Sequence, residues 1–424
     1  MVDPAKRFQG EKRRLQADGV AVTSGMLSPQ ILPSGTPESL GFDPGRLDRV
    51  HRGMQRFVDS GHHAGVSGLL ARDGYIADTF ATGLRSRELN LPMTRDTIVR
   101  IYSMTKIVVS VAALTLLEEG KLGLLDPVTD YLSQFRDLRV LAGGTARDPK
   151  LIPLERPLTI QHLFTHTSGF IYEAPGEPIE DIYQSALEGR GESLEELVNA
   201  LARIPLRSQP GTRFEYGFST DILGRVIEVI SGQRLDQFLN ERVLEPLHMH
   251  ETGYSVDGSR KDRLAKVYEH GSDGALRPVA SLRGESIEGQ RDFAEGGAGL
   301  FSTLDDIARL AQMLCNRGEL GGLRIIGRKT WESMVTDHLT ITKERVPNPG
   351  LGHGFGLGVA VRFDNGQAAT LGTTGSFGWT GMATTYCRID PAERFVAICF
   401  AQHLPYDEHG LFQRFANLVY QAIV

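Results

Sequence analysis

The hydrophobic pattern is quiet at first. Residues 1–36 are rich in Lys, Arg, Gln, Ser, Pro and Gly and predict a loosely structured arm, with ordered structure expected after residue 40. Leu47, Val50, Met54, Phe57 and Val58 then recur at helical spacing. Two β-rich runs, 66–71 and 75–80, flank Arg72-Asp73-Gly74 and predict a hairpin. A further short β-type segment covers 97–102. From there the period changes. Residues 106–119 are apolar almost all round and stop at Gly120, which predicts a buried helix. Helices are also predicted at 159–165, 193–203, 221–231, 235–243 and 302–315. Ser302 and Thr303, each followed three residues later by an aspartate, supply a start signal for the last. After Gly352 the β pattern returns. Runs 359–363 and 367–371 flank Asp364-Asn365-Gly366, while 379–389 and 394–400 flank Asp390-Pro391-Ala392-Glu393. Residues 411–424 form an amphipathic helical pattern. Strands at both ends and helices between them predict an arm over 1–40, an α/β domain from 41–105 and 290–424, and a helical domain, 106–289, inserted into it.

Length agrees with two domains, since 424 residues exceed one typical unit. With 41% hydrophobic and 23% charged residues the chain can bury a sizeable core, which excludes general disorder. The net charge of −6 and the lack of any basic block beyond Lys12-Arg13-Arg14 exclude a nucleic-acid partner. No stretch reaches the ~20 apolar residues of a membrane span, and none is expected. The cysteines, Cys315, Cys387 and Cys399, are odd in number and lack ligand spacing, so neither a disulfide framework nor a zinc site is expected. The first forty residues show no secretory apolar segment, and a cytoplasmic location is expected. Glycine is abundant, at 48 residues, and clusters at 296–299 and 372–381, where a backbone must approach a neighbour closely.

Three places could carry chemistry. Ser103-Met104-Thr105-Lys106 lies between a predicted strand and the buried helix, and its i, i+3 spacing puts both side chains on one face. The serine would sit at a helix N-terminus, where the dipole favours negative charge. The lysine would be desolvated and could accept a proton. The same tetrapeptide alone would equally serve as a helix cap with a solvated lysine. Tyr216, in a loop before a helix, could relay a proton, or could be an ordinary half-buried tyrosine. Gly378-Trp379-Thr380-Gly381-Met382 opens a strand whose backbone N–H could face an oxyanion, or it could simply place a core tryptophan.

Together and in this order these motifs resemble the serine β-lactamase and penicillin-binding protein superfamily, and within it the family VIII carboxylesterases, which are similar to class C β-lactamases. Supporting stretches are Leu125-Asp126-Pro127-Val128, the run from Leu158 to Gly169 and the run from Gly296 to Thr303. The resemblance covers nearly the whole chain after about residue 40 and implies an α/β (α+β) β-lactamase-like fold, an antiparallel sheet flanked by helices with an inserted all-helical domain. It implies that Ser103 is the acyl-accepting nucleophile, that Lys106 activates it, and that Tyr216 shares proton transfer in acylation and deacylation. The backbone N–H groups of Ser103 and Met382 would form the oxyanion hole, each donor worth roughly 2.7–4 kcal/mol. Trp379, Thr380 and Gly381 take the place of a Lys-Thr-Gly motif, and Tyr216-Gly217-Phe218 that of Tyr-x-Asn. Losing that lysine removes a partner for a substrate carboxylate, and Phe218 would add apolar surface for substrate, so both changes favour a neutral ester. The resemblance thus implies a serine hydrolase of small carboxylic esters with short to medium acyl chains, using no metal or organic cofactor and leaving open weak β-lactam hydrolysis and a homo-oligomeric state. The alternatives are a β-lactamase or D-amino-acid peptidase, an acyltransferase, and a non-catalytic binding protein on the same fold.

Rival motifs are weaker. Gly253-Tyr254-Ser255-Val256-Asp257-Gly258 misses the Gly-x-Ser-x-Gly elbow by one residue. The twelve histidines offer no His-Glu-x-x-His pattern. His62-His63 and His248-Met249-His250 read as exposed loops, His166 as a structural residue, and 236–240 as part of an ordinary amphipathic helix.

Overall fold

The computed structural model describes residues 32–188, 193–279, 293–339 and 350–424. Residues 1–31 of the predicted arm, and the predicted boundary at 289–290, lie outside them. The turn after β1 (Gly65–Arg72) uses Asp73 and Gly74, both at positive φ (55° and 84°), which matches the twist of the strand that follows, β2 (Tyr75–Ser86). With β3 (Leu91–Pro92), β4 (His353–Phe355), β5 (Ala360–Arg362), β6 (Phe377–Gly381), β7 (Thr385–Asp390) and β8 (Phe395–Ala401) they make one antiparallel sheet, ordered β4-β5-β6-β7-β8-β1-β2-β3. The two ends of the chain meet inside it, where Leu69 of β1 pairs with Ile398 of β8.

Alternation along the strands sends side chains to two cores. Val66, Leu70, Phe395, Ala397 and Cys399 pack with α1 (Pro44–Asp59) and the C-terminal helix (Leu411–Tyr420). Leu69, Val396, Ile398 and Phe400 join the larger core built around α2 (Thr105–Glu118). Asp43 caps α1 by accepting from the Arg46 N–H at 2.8 Å, and Pro44 opens its first turn. In α2 every residue from Thr105 to Leu116 is buried. Each fully buried valine or leucine there contributes roughly 1.5–3 kcal/mol. The helices that follow are α3 (Ile160–Phe164), α4 (Pro178–Leu187), α5 (Leu194–Leu201), α6 (Ser219–Ser231), α7 (Leu235–Leu239), α8 (Leu304–Cys315), α9 (Arg328–Met334) and the C-terminal α10 already given. Of these, α6 packs on α2 and α8 on the sheet. Thr303 caps α8 through the Asp306 N–H. Among the described residues no helix is long and apolar enough to cross a membrane.

Several expectations are corrected. The middle of the chain also carries two short hairpins, Arg139–Gly144 with Pro149–Pro153 and Tyr268–His270 with Leu276–Pro278, so it is not wholly helical. Positive φ at Gly143 and Gly144 accommodates the register shift at the end of the first strand, just before the turn. The hairpin expected around Asp364-Asn365-Gly366 does not form. The Asp364 carboxylate instead accepts from the Gly366 and Gln367 N–H groups, and buried Arg362 draws Asn365, Thr370 and the Leu371 carbonyl around itself. The partners of β5 are therefore β4 and β6. The run 379–389 is broken by Thr384 at φ 58°, giving two strands and a turn. Leu32 is buried and the Gly35 N–H donates to the Ile76 carbonyl, so the end of the predicted arm is packed against β2. His63, expected in an exposed loop, is 1% exposed.

Candidate active site

The chain leaves the short strand Val99–Arg100, passes Tyr102 at φ 43°, and enters α2 through the tight turn Tyr102–Met104. That left-handed conformation costs about 1–3 kcal/mol in a bulky residue, a strain characteristic of functional turns. It leaves Ser103 half-buried at the head of α2, one turn before Lys106. The Lys106 side chain is 1% exposed. Its Nζ donates to Gly297 O at 2.6 Å, Ser103 Oγ at 3.2 Å and the Tyr172 hydroxyl at 3.3 Å.

Behind the lysine stands a polar layer. The Tyr172 hydroxyl donates to Asp221 Oδ2 at 3.2 Å, and Asp221 Oδ1 accepts from the Gly297 N–H at 2.8 Å. Burial, reinforced by the Asp221 charge, holds the Tyr172 phenol well above its usual range, so it remains a donor. Burial first, and the Glu295 charge second, push Asp221 up to about 6, with Lys106 opposing. A Cβ on Gly297 would lie 2.3 Å from the Tyr172 hydroxyl, and one on Gly296 would lie 2.2 Å from Thr220 O. These are the close approaches that the glycine cluster implied.

Tyr216 faces the lysine from the other side, with its ring centroid 4.7 Å from Nζ. Its hydroxyl accepts from Trp379 Nε1–H at 3.1 Å. The ring rests between Trp379 (5.4 Å) and His166 (4.8 Å), and Tyr172 meets it edge-on at 5.5 Å. Burial, then Lys106, keep His166 well below its ordinary value, so this neutral imidazole acts as a packing partner. Buried Glu215, the residue before Tyr216, bonds Arg207 at 2.9 Å and fixes the loop.

The third wall is β6. A Cβ on Gly381 would come within 2.3 Å of Ile101 O, so glycine lets this strand close against the turn that carries Ser103. Trp379 is buried, Thr380 Oγ1 bonds the Tyr406 hydroxyl at 2.8 Å, and Met382 follows the strand as an exposed residue. Ser103, Lys106, Tyr216 and Trp379 are thus assembled in one place. Phe218 is not part of the open surface expected of it: it is 3% exposed and packs edge-on against Tyr172 at 4.6 Å. Its bulk supports Tyr172 from behind. Tyr172 and Asp221 were missed from the sequence as site residues. Only the neighbouring glycines, Gly296 and Gly297, signalled that something lay close.

The Beta-lactamase family model matches residues 50–420, and the chain belongs to that family. The chain is 32% identical over 367 residues to Protein Rv1367c of Mycobacterium tuberculosis (strain ATCC 25618 / H37Rv), covering 85% of this chain and 90% of that one. It is 30% identical over 337 residues to Esterase EstB of Burkholderia gladioli, covering 75% and 80%. Among solved structures, EstCE1, described as a hydrolase with promiscuous acyltransferase activity, matches with a TM-score of 0.75 at 27% identity, over 89% of this chain and 98% of that one. The protein is therefore a serine hydrolase of the β-lactamase and penicillin-binding protein superfamily.

Proposed function

We propose that the protein is a carboxylesterase acting on neutral esters of short to medium acyl chains through an acyl-enzyme on Ser103. The observation that carries this reading is Trp379. Where a lysine could grip a substrate carboxylate, an indole spends its one N–H on the Tyr216 hydroxyl and is backed edge-on by buried Phe355, 5.1 Å away, so the position offers no cation. Ser103 Oγ adds to the ester carbonyl as its proton passes to the lone pair of the Lys106 amine, 3.2 Å distant, which in that state donates only to the Gly297 carbonyl and the Tyr172 hydroxyl. The oxyanion is received by the Ser103 and Met382 N–H groups at the head of α2 and the end of β6. Tyr216, whose hydroxyl bonds Trp379 and whose ring lies 4.7 Å from Nζ, gives its proton to the departing alkoxide and regains the one held by Lys106 once bound substrate bridges the two groups, so the acyl-enzyme and a free alcohol remain. Water then enters along the same proton path in reverse and releases the acid. The similarity to Esterase EstB supports this reading. Three buried free cysteines support a reducing, cytoplasmic setting.

Comparing turnover of p-nitrophenyl butyrate with that of nitrocefin tests the assignment. The ester is expected to turn over far faster; the reverse ranking would favour a β-lactamase or D-amino-acid peptidase. A second reading, acyl transfer, is supported by the activity named for EstCE1. In that case an added alcohol would outcompete water for the acyl group.

A further inference from the structure

Far along the chain beyond Ser103, three histidines converge on one carboxylate oxygen. His403 Nε2 lies 2.9 Å, His270 Nδ1 3.3 Å and His409 Nε2 3.5 Å from Glu408 Oε2, and His270 Nδ1 is 3.4 Å from His409 Nε2. All four ligand atoms lie within 4.8 Å of one another. One carboxylate oxygen has about two lone-pair sites, so three N–H donors cannot all be satisfied there. The tautomer sharpens the conflict. The other nitrogen of His270, Nε2, faces the Gly61 carbonyl at 3.2 Å. A carbonyl only accepts, so Nε2 carries the hydrogen, and in the neutral ring Nδ1 is a bare lone pair pointed at a carboxylate oxygen. The pair needs a bridging hydrogen or positive charge, and the His409 Nε2–H, 3.4 Å from that lone pair, is a long reach for the hydrogen, which leaves positive charge as the better bridge.

A tetrahedral cation supplies it. Bonds of ~2.0–2.1 Å to nitrogen and oxygen give ligand-to-ligand edges of about 3.3 Å. Four of the six edges here are 2.9, 3.3, 3.4 and 3.5 Å; the two from His403 Nε2 to the other imidazoles lie within 4.8 Å, so His403 would draw in as the ion binds. The His270 bond to the Gly61 carbonyl is the orienting contact that metal-bound imidazoles use. A second observation points to the same place. His63 is 1% exposed, neither of its ring nitrogens has a partner, and it meets the His403 ring edge-on at 4.8 Å. The Nδ1 of His403, itself 1% exposed, is also unpartnered. Such buried polar atoms beside a histidine cluster mark a place where polar chemistry is incomplete.

We propose that His270, His403, Glu408 and His409 form a tetrahedral site for a divalent transition-metal ion, zinc in kind. Four protein ligands make a closed and therefore structural site. It joins the strand Tyr268–His270 to the segment 403–409, which also carries Tyr406, the residue bonded to Thr380 at the edge of the active site. The ion would thereby clip this edge in place. Glu408 is 35% exposed and leaves a path for entry. The ligands come from two regions far apart in sequence, which is why motif spacing led to the expectation of no metal.

The full chain, purified without a histidine tag and stripped with a chelator, is dialysed against micromolar Zn²⁺ and analysed for bound metal. About one equivalent is expected, with a tetrahedral visible spectrum when Co²⁺ replaces zinc and a higher melting temperature with zinc than without. Glu408→Gln and His409→Asn, both at accessible positions, are expected to lose the bound equivalent and the zinc-dependent rise in melting temperature. His250→Asn, at an exposed histidine elsewhere, keeps both. Uptake below about 0.1 equivalent, an octahedral cobalt spectrum, or full retention of metal by both ligand variants would overturn the site.

Discussion

The two faces of the main sheet are both buried but are composed differently. Against α1 and α10 the sheet presents Leu70, Phe395, Ala397 and Cys399, and the helices answer with Met54, Phe415 and Val419. Against α2 the same sheet packs just as tightly around Val108, Val111 and Leu114, yet the first turn of that helix holds Lys106, with Asp221, Tyr172 and His166 close around it. Unpaired, such groups would each cost about 1–3 kcal/mol or more to bury. Here Lys106, Tyr172 and Asp221 are bonded to one another or to the Gly297 backbone. The lesson is that one face is built for stability and the other holds reactive groups in fixed geometry, so substitutions should separate the two.

The largest separation is expected at Ser103. Ser103→Ala should reduce ester turnover on the order of 10⁶-fold, as removal of a nucleophile does, with an unchanged melting temperature. Turnover close to wild type would transfer the chemistry elsewhere. Tyr216→Phe should cost ~10²–10⁴-fold in kcat, the range of a lost proton-transfer group; an equal rate removes the phenol from the mechanism. On the opposite face the signature should invert. Leu70→Ala is expected to lower stability by about 2–5 kcal/mol in denaturant titration while kcat is unaltered. A large fall in kcat there would show that the faces are not independent.

Smaller effects refine the polar layer. Asp221 is ionised above about 6 and protonated below it. Ionised, it accepts the Tyr172 hydrogen; protonated, it can donate to the Tyr172 oxygen and turn that phenol's hydrogen toward Lys106 Nζ, in competition with Ser103. Activity should therefore fall as pH descends through about 6. Asp221→Asn, whose amide donates permanently, should run about tenfold slower and lose that step in the profile. A step that survives in the variant belongs to another group. Smallest of all, Thr303→Ala at the start of α8 should cost ~1 kcal/mol of stability and nothing in turnover.

What the sequence revealed depended on how local the determinant was. Ser103 and Lys106 are one helical turn apart on an all-apolar helix, so their juxtaposition follows from helix geometry alone. The hairpin at Asp73-Gly74 was equally plain, because positive φ at both turn positions matches the residue types. By contrast, Tyr172, Asp221 and Gly297 converge from three separate stretches, and no spacing rule joins them. Phe218 was misjudged because apolar character does not tell whether a side chain faces substrate or supports the residue that does. Asp364-Asn365-Gly366 has the composition of a hairpin turn, but hydrogen bonds from buried Arg362 outweigh that local preference. His63 was misplaced for a related reason: exposure is a property of the neighbours, here His403 and Phe57.

The most direct test is mass spectrometry of the intact enzyme and its proteolytic peptides after treatment with an acyl phosphonate ester. A single adduct is expected on the peptide containing Ser103, absent from the Ser103→Ala variant. An adduct on any other residue, with Ser103 unmodified in active protein, would contradict it.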